Sequence, residues 1–201
     1  MWKMMGEDKL DLIWGMQTPD KDSALVPIEV DLTDGLAGQR VLLIRARDQA
    51  RFDAVSSIEG LRALQLVAGF GEGWFDAGVW QANRLQAYEF AGQFDLTLSM
   101  VAAGNRGIDY LPRGVHEIVA EAQAHPALAI ERRLLFSYPR DMRFYLTPRA
   151  GQHRAVIEAA LKAAQASGLK RRIIAHHFGT AIRSLGLEQR RHILLQAPPV
   201  R

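Results

Sequence analysis

The stretch LQLVAGFGEGWFDAGVWQAN, Leu64 to Asn83, decides the reading of this chain. Leu64 to Ala68 is a short apolar run of the kind a buried strand shows. Gly69, Gly71 and Gly73 punctuate the turn that follows, and a helical pattern starts near Trp74 and carries Val79 and Trp80. Glycine in such a loop lets the backbone come close to a ligand, because no Cβ intervenes. The free N–H groups of a helix start favour an anion or an acceptor oxygen. Open α/β sheets bind ligands off the carboxyl ends of their strands, where this loop would lie. The spacing is G-x-G-x-G, not the G-x-G-x-x-G of dinucleotide sites. At this point a ligand loop and a plain tight connection between strand and helix both stand.

Other strands and helices alternate around this unit. Leu10–Trp14, Leu25–Val30, Arg40–Arg45, Gln86–Phe90, Ile108–Leu111 and Arg143–Leu146 read as strands, with Pro112 breaking the fifth. Leu128 to Tyr138 reads as extended, and Gln17–Ser23, which contains Pro19, as a loop. Helices are expected from Ser57 to Leu61, Asp95 to Ala103, Gly114 to Ala124 and Arg172 to Phe178. The clearest helix is Gln152–Ser167, where Val156, Ile157, Ala160, Leu161 and Ala164 make one apolar stripe. Met1–Met5 reads as the tail of a helix stopped by Gly6. The alternation implies an α/β protein with a largely parallel sheet.

Composition narrows the function classes. The chain has 201 residues, 48% hydrophobic and 23% charged, which suits one domain or two small lobes. Its 25 Lys and Arg against 22 Asp and Glu give only +3, too slight to argue for nucleic acid. Lys170-Arg171-Arg172 and Arg190-Arg191 read as solvated helix faces. The absence of cysteine excludes disulfides, thiolate catalysis and cysteine-ligated metals. No apolar run reaches the roughly 18 residues of a membrane span. The opening MWKMMGEDKLDL has no apolar core of a signal peptide. Six scattered histidines give no metal site: His116-Glu117 lacks the second histidine of H-E-x-x-H, and His176-His177 do not share a helical face. Neither a cofactor nor a metal is expected.

The order of elements resembles the two-lobed type 2 solute-binding proteins, the periplasmic class that includes amino-acid-binding proteins of ABC importers. LDLIWGMQTPDK (Leu10–Lys21) is similar to the family's lobe 1 strand and ligand loop, LDLxxxGxTxTxER, and VLLIRARDQ (Val41–Gln49) to its first hinge strand. SIEGLRALQLVAGFGEGW (Ser57–Trp74) resembles DLKGKxVxVxxGTxx, and MVAAGNRGIDYLPRG (Met100–Gly114) resembles LxxGRxDAxxxD. The resemblance implies a periplasmic-binding-protein-like α/β fold with residues 1–44 and 137–201 as a discontinuous lobe 1 and 45–136 as lobe 2. The crossings are expected at Val41–Arg45 and Arg132–Phe136. Family members open with a strand–helix–strand unit that has no counterpart here, so lobe 1 is expected to be incomplete. The Leu10–Trp14 strand then becomes an exposed edge that could pair with a second copy.

The same resemblance implies a non-catalytic function: hinge closure of two lobes on a small polar or anionic solute, an amino acid or a carboxylate, for an ABC transporter permease or a sensor partner. Location is periplasmic by resemblance, and cytoplasmic if Met1 is the true start. The implied ligand contacts are Trp14, Thr18, Lys21, Gly71, Gly73, Trp74 and Arg113. Lys21 stands where the family has a carboxylate-clamping arginine, and lacks its bidentate fork. Arg113-Gly114 stand where an acid usually holds the ligand's ammonium, which turns the expectation toward an anionic group. Each residue has a plainer alternative: core packing for Trp14, a loop cap for Thr18, a salt bridge with Glu117 for Arg113. The competing function is an α/β enzyme using Asp109, Arg113 and Glu117; an inert fragment is a further alternative.

Overall fold

A computed structural model describes residues 9–104 and 107–198. The expected helix tail at Met1–Met5 and its Gly6 stop lie outside the described residues. In chain order the elements are β1 (Leu12–Met16), α1 (Pro19–Ala24), β2 (Val26–Pro27), β3 (Gln39–Arg45), α2 (Gln49–Phe52), α3 (Ile58–Ala63), β4 (Val67–Gly71), α4 (Phe75–Ala82), β5 (Gln86–Phe90), α5 (Phe94–Ala103), β6 (Tyr110–Gly114), α6 (Ile118–Ala124), β7 (Leu128–Ile130), β8 (Leu134–Ser137), β9 (Met142–Leu146), α7 (Arg154–Ala166), α8 (Leu169–Ser184) and β10 (Arg191–Leu194).

The chain forms two compact units, one of residues 38–139 with 181–198, the other of residues up to 37 with 140–180. These spans differ from the expected 1–44, 45–136 and 137–201. Both expected crossing strands, Val41–Arg45 and Arg132–Phe136, fall inside the larger unit, because its seven-stranded sheet runs β10-β8-β3-β6-β4-β5, with β7 also on β3. β4 pairs parallel with β5 and β6, and β8 with β10; β3 pairs antiparallel with β6, β7 and β8. The sheet is therefore mixed, with β3 alone reversed among strands that otherwise share one direction. Val41 to Ile44 are fully buried, as the unbroken VLLI run requires of a central strand covered on both faces. Around β3 pack Phe52, Phe70, Trp80, Tyr110 and Phe136, and the Trp80 indole donates to the Tyr110 hydroxyl at 3.1 Å, satisfying two polar atoms inside the core.

The smaller unit is built on the antiparallel sheet β1-β9-β2. Leu10–Trp14 and Leu64–Ala68 were expected in separate sheets, and β1 and β4 do lie in separate sheets. Ile28, Val30, Leu146 and Ala150 form a small core, against which α7 lays Ile157 and Leu161. All residues of α7 are described, and none is fully buried. The buried carboxylate of Asp141 accepts from the Thr33, Gly35 and Met142 amides and from the Thr33 hydroxyl, fixing the Asp34-Gly35 turn.

Several local expectations change. Gln17–Ser23 is not all loop: Thr18 caps α1, Pro19 starts it and Asp20 and Asp22 sit in its first turn, a favourable opening for a helix. The strand read at Leu64–Ala68 is Val67–Gly71, because Leu64 caps the end of α3 and Gln65 turns the chain with φ 53. Pro112 lies within β6 rather than ending it. Leu42 gives its carbonyl to Glu131 N, so the Leu42–Pro112 pair is a non-hydrogen-bonded one and the imide nitrogen faces the β4 side. There the only β4–β6 partners among the described residues are Ala68 and Tyr110, so no ladder donor is lost. The helix expected from Gly114 starts at Ile118, and the one expected over Arg172–Phe178 extends over Leu169–Ser184.

Candidate functional site

The glycine loop of the opening stretch closes β4 and opens α4. Gly73 has φ +72, a left-handed conformation that suits glycine, and its amide donates to Glu89 at 2.8 Å. A Cβ on Gly71 would sit 2.5 Å from the Trp74 Nε1, so the indole lies directly on this glycine. Trp74 stacks on Phe94 with ring centroids 5.5 Å apart. Arg113, near the end of β6, places its guanidinium carbon 4.9 Å from the Trp74 ring centre and 4.4 Å from that of Phe94. Gly71, Trp74 and Arg113 are thus brought together at the carboxyl ends of β4 and β6.

Arg113 is not free to take an external anion with its full fork. Its Nε donates to Glu121 at 2.7 Å, its Nη2 reaches the other Glu121 oxygen, and the same nitrogen is 2.9 Å from Glu117. One cation therefore faces two carboxylates. The salt bridge to Glu117 weighed from the sequence is present, with Glu121 as the stronger, bidentate partner. Glu117 keeps 38% of its side chain exposed, while Arg113 keeps 11%. Burial pushes Glu117 up, but the hydrogen bond from His116 and the charges of Arg113, His116 and Arg40 outweigh it and hold the carboxyl at about 2.

Beneath this cluster lies a buried ion pair. Arg40 Nε donates to Asp76 at 2.6 Å and its Nη2 to the other carboxylate oxygen at 3.2 Å. The Tyr138 hydroxyl donates to Asp76 at 2.6 Å, and Arg40 lies 5.4 Å over the Tyr138 ring. Asp76 is in the first turn of α4, so the helix start that the sequence offered to a ligand anion already carries a buried carboxylate of its own. The pair ties the start of β3, the start of α4 and the end of β8 into one rigid support.

The remaining expected residues belong to the smaller unit. Trp14, on β1, is 61% exposed and is not a core residue. The Thr18 hydroxyl accepts from the Lys21 amide at 3.4 Å as the helix cap, which is its plainer alternative. Lys21 Nζ folds back to the Met16 carbonyl at 3.0 Å and to the Thr18 hydroxyl at 3.3 Å, and its burial pulls its pKa below the usual lysine value. Trp14, Thr18 and Lys21 lie within one strand–turn–helix segment. Open cavities of about 390 Å³ and 490 Å³ in this unit are lined by Lys170 and Arg171 and by Arg149 and Ile157, not by those three residues.

No family model matches the chain, and no curated protein does. Solved structures do. An amino acid ABC transporter substrate-binding protein from Streptococcus pneumoniae, bound to L-arginine, is 15% identical, with 90% of this chain and 73% of that one covered at a TM-score of 0.63. A His/Glu/Gln/Arg/opine family-binding protein from Silicibacter pomeroyi, in complex with lysine, is 15% identical, with 88% and 73% covered and a TM-score of 0.63. The ancestral amino acid-binding protein AncCDT-1, a precursor of cyclohexadienyl dehydratase, is 14% identical, with 88% and 72% covered and a TM-score of 0.60. The fold is that of the type 2 solute-binding proteins.

Within this binding-protein fold, Asp109 separates from the other candidates of the enzyme reading. It stands just before β6, and Arg113, four residues along the extended chain, is about 13 Å further on. Asp109 is spent at that opposite end, accepting from Val67 N at 2.9 Å and facing Arg45 and Arg51 at 3.6 and 3.4 Å. It makes no carboxylate pair with Glu117. The sequence reading missed Phe94, Glu121, Arg40, Asp76 and Tyr138. Only Asp76 carried a local signal, as an acid in the first turn of the helix behind the glycine loop. The others meet the site through strand pairing, such as Arg40 opposite Gly114.

Proposed function

We propose that this chain binds a small polar solute of the amino-acid class without chemistry, in the manner of a periplasmic binding protein that serves an ABC transporter permease or a sensor. Closure of two lobes on the solute is part of this reading. The observation that carries it is the cluster of Gly71, Trp74, Phe94 and Glu117 at the carboxyl ends of β4 and β6, on a fold shared with amino-acid-binding proteins. The anionic solute expected from Arg113 gives way to one with a positive group. Arg113 is held by Glu121 and Glu117, while the partly exposed, strongly acidic Glu117, next to the Arg113 that covers the Trp74 and Phe94 rings, suits an ammonium or guanidinium. The structures bound to arginine and lysine support the same choice.

Thermal-shift screening and calorimetry with arginine, lysine, putrescine, glutamate and succinate test the reading, since a ligand of the native state raises its melting temperature. A cationic amino acid should give the largest shift, and Glu117→Gln should weaken its binding roughly 10- to 100-fold. A dicarboxylate as the best ligand, with binding lost in Arg113→Ala, would restore the anionic assignment and remove Glu117 from it. No shift with any of the five would sink the solute-binding reading. The exposed β1 edge belongs to the same reading as a self-pairing surface: light scattering should find a dimer that Trp14→Lys dissociates, and a monomer at all concentrations removes it.

A further inference from the structure

Arg113, Glu117 and Glu121 are spaced by four in the sequence, and the turn from β6 into α6 folds them into one cluster. Glu121 lies in the first turn of α6, where the helix start favours an acid, and its amide donates to the Glu117 carbonyl at 3.3 Å. Two carboxylates four residues apart rise on the same side of the helix and compete for one guanidinium. They do not share it equally. Arg113 Nε and Nη2 donate to the two oxygens of Glu121, which fills the side of the fork that a carboxylate fits best. Glu117 takes a single contact from Nη2 at 2.9 Å, and its other oxygen lies 3.4 Å from His116 Nε2.

Exposure follows the same division. The Arg113 side chain is 11% exposed and that of Glu121 18%, while Glu117 stands further out at 38%. Gly114 makes room for this arrangement: a Cβ there would sit 3.2 Å from Glu117 Oε2. Arg40, the next cation inward, is paired with Asp76 and leaves Glu117 uncancelled. The cluster therefore carries one carboxylate more than its arginine neutralises, and the surplus is presented at Glu117. We infer that Glu121 is a positioning residue that sets the charge preference of this site, by holding the Arg113 fork away from a solute carboxylate. An anionic solute must displace a bidentate partner to reach Arg113, whereas an ammonium or guanidinium only adds to Glu117. Specificity then comes from occupying the competing receptor as much as from offering the right one. This role rests on the solute-binding reading of the same residues, and goes beyond it by naming what makes the site reject the solute that Arg113 would otherwise attract.

Calorimetry tests this, comparing the tightest of arginine, lysine and putrescine with glutamate, and melting temperatures show which variants are folded. The parent chain should prefer the cation. Glu121→Gln releases the fork, so the cation should bind about 10-fold more weakly and glutamate about 10-fold more tightly. Glu121→Ser should act in the same sense, and either variant decides. Glu121→Asp keeps the charge and should keep the cation preference; a role in packing alone would not separate Asp from Gln by the charge of the ligand. With Arg113→Gln added to Glu121→Gln, the gain of glutamate should vanish, because the released fork is what receives it. A parent that binds the cation, with the same preference in Glu121→Gln and Glu121→Ser, overturns this role and leaves the solute-binding reading standing. So does a gain of glutamate that survives the loss of Arg113. A parent that binds no cationic solute overturns the cationic assignment and the role of Glu121 together.

Discussion

At the scale of single residues, charges decide what the site can hold. Arg40 is buried and ion-paired with Asp76, and Asp76 also takes the Tyr138 hydroxyl. Asp76→Ala leaves a buried guanidinium without its carboxylate and should destabilise the fold by about 3–5 kcal/mol in a urea melt. Tyr138→Phe removes one hydrogen bond to a charged group and should cost about 1.5–3 kcal/mol. A loss below about 0.5 kcal/mol for Asp76→Ala would mean that solvent reaches the pair. Glu117 gives a pH signature. Its native carboxyl is held at about 2, below its unfolded value, so its contribution to stability is present above pH ~4.5 and fades as the pH falls toward 2. Glu117→Gln should flatten the fall in the urea midpoint across that window; an unchanged slope would assign the acid sensitivity to other carboxylates. Of this scale the sequence showed Trp74, Gly71, Arg113 and the Arg113–Glu117 pair. It could not show that Glu121 takes the Arg113 fork, because that contact depends on how α6 folds back on β6.

At the scale of elements, what local chemistry determines was legible and what pairing determines was not. β5 matches its expected Gln86–Phe90, and α5 ends at Gly104 with φ +69, as a glycine stop requires. Ser57 caps α3 through the Gly60 amide. By contrast, β10 went unread, because RHIL is short and polar at two positions and becomes a strand only by pairing in parallel with β8. The helix α1 was hidden by reading Pro19 as a loop residue instead of as the first residue after a threonine cap. That cap can be measured. Thr18→Ala should destabilise the smaller unit by about 1 kcal/mol, while Thr18→Ser should be nearly neutral. Equal stability of Thr18→Ala and the parent would show that the Lys21 side chain, not the cap, holds the turn.

At the scale of the whole molecule, the two units are built to different depths, and this should govern how the chain opens. In the larger unit β3 is fully buried over Val41–Ile44 and pairs with three strands, and aromatic side chains fill the space around it. In the smaller unit a three-stranded sheet carries α1 and α7, neither with a fully buried residue, and most of α8, which buries only Lys170. Apolar burial is the main favourable term in folding, so the unit with less of it has less to offset its chain entropy. The sequence hinted at the weakness through the amphipathic but alanine-rich stripe of α7. It did not reveal the division at 37/38, 139/140 and 180/181, because that follows from β3, β8 and β10 joining one sheet across long stretches of chain. Native-state hydrogen exchange reads the consequence directly. The amides of Val41–Ile44 should exchange slowest, near the global unfolding limit, and those of α7 should exchange through a lower-energy opening that leaves β3 protected. A saturating ligand of the larger unit alone should slow β3 further and leave α7 unchanged. If α7 and β3 exchange with the same free energy and the same denaturant slope, the two units unfold as one, and the thin core of the smaller unit is not its weak point.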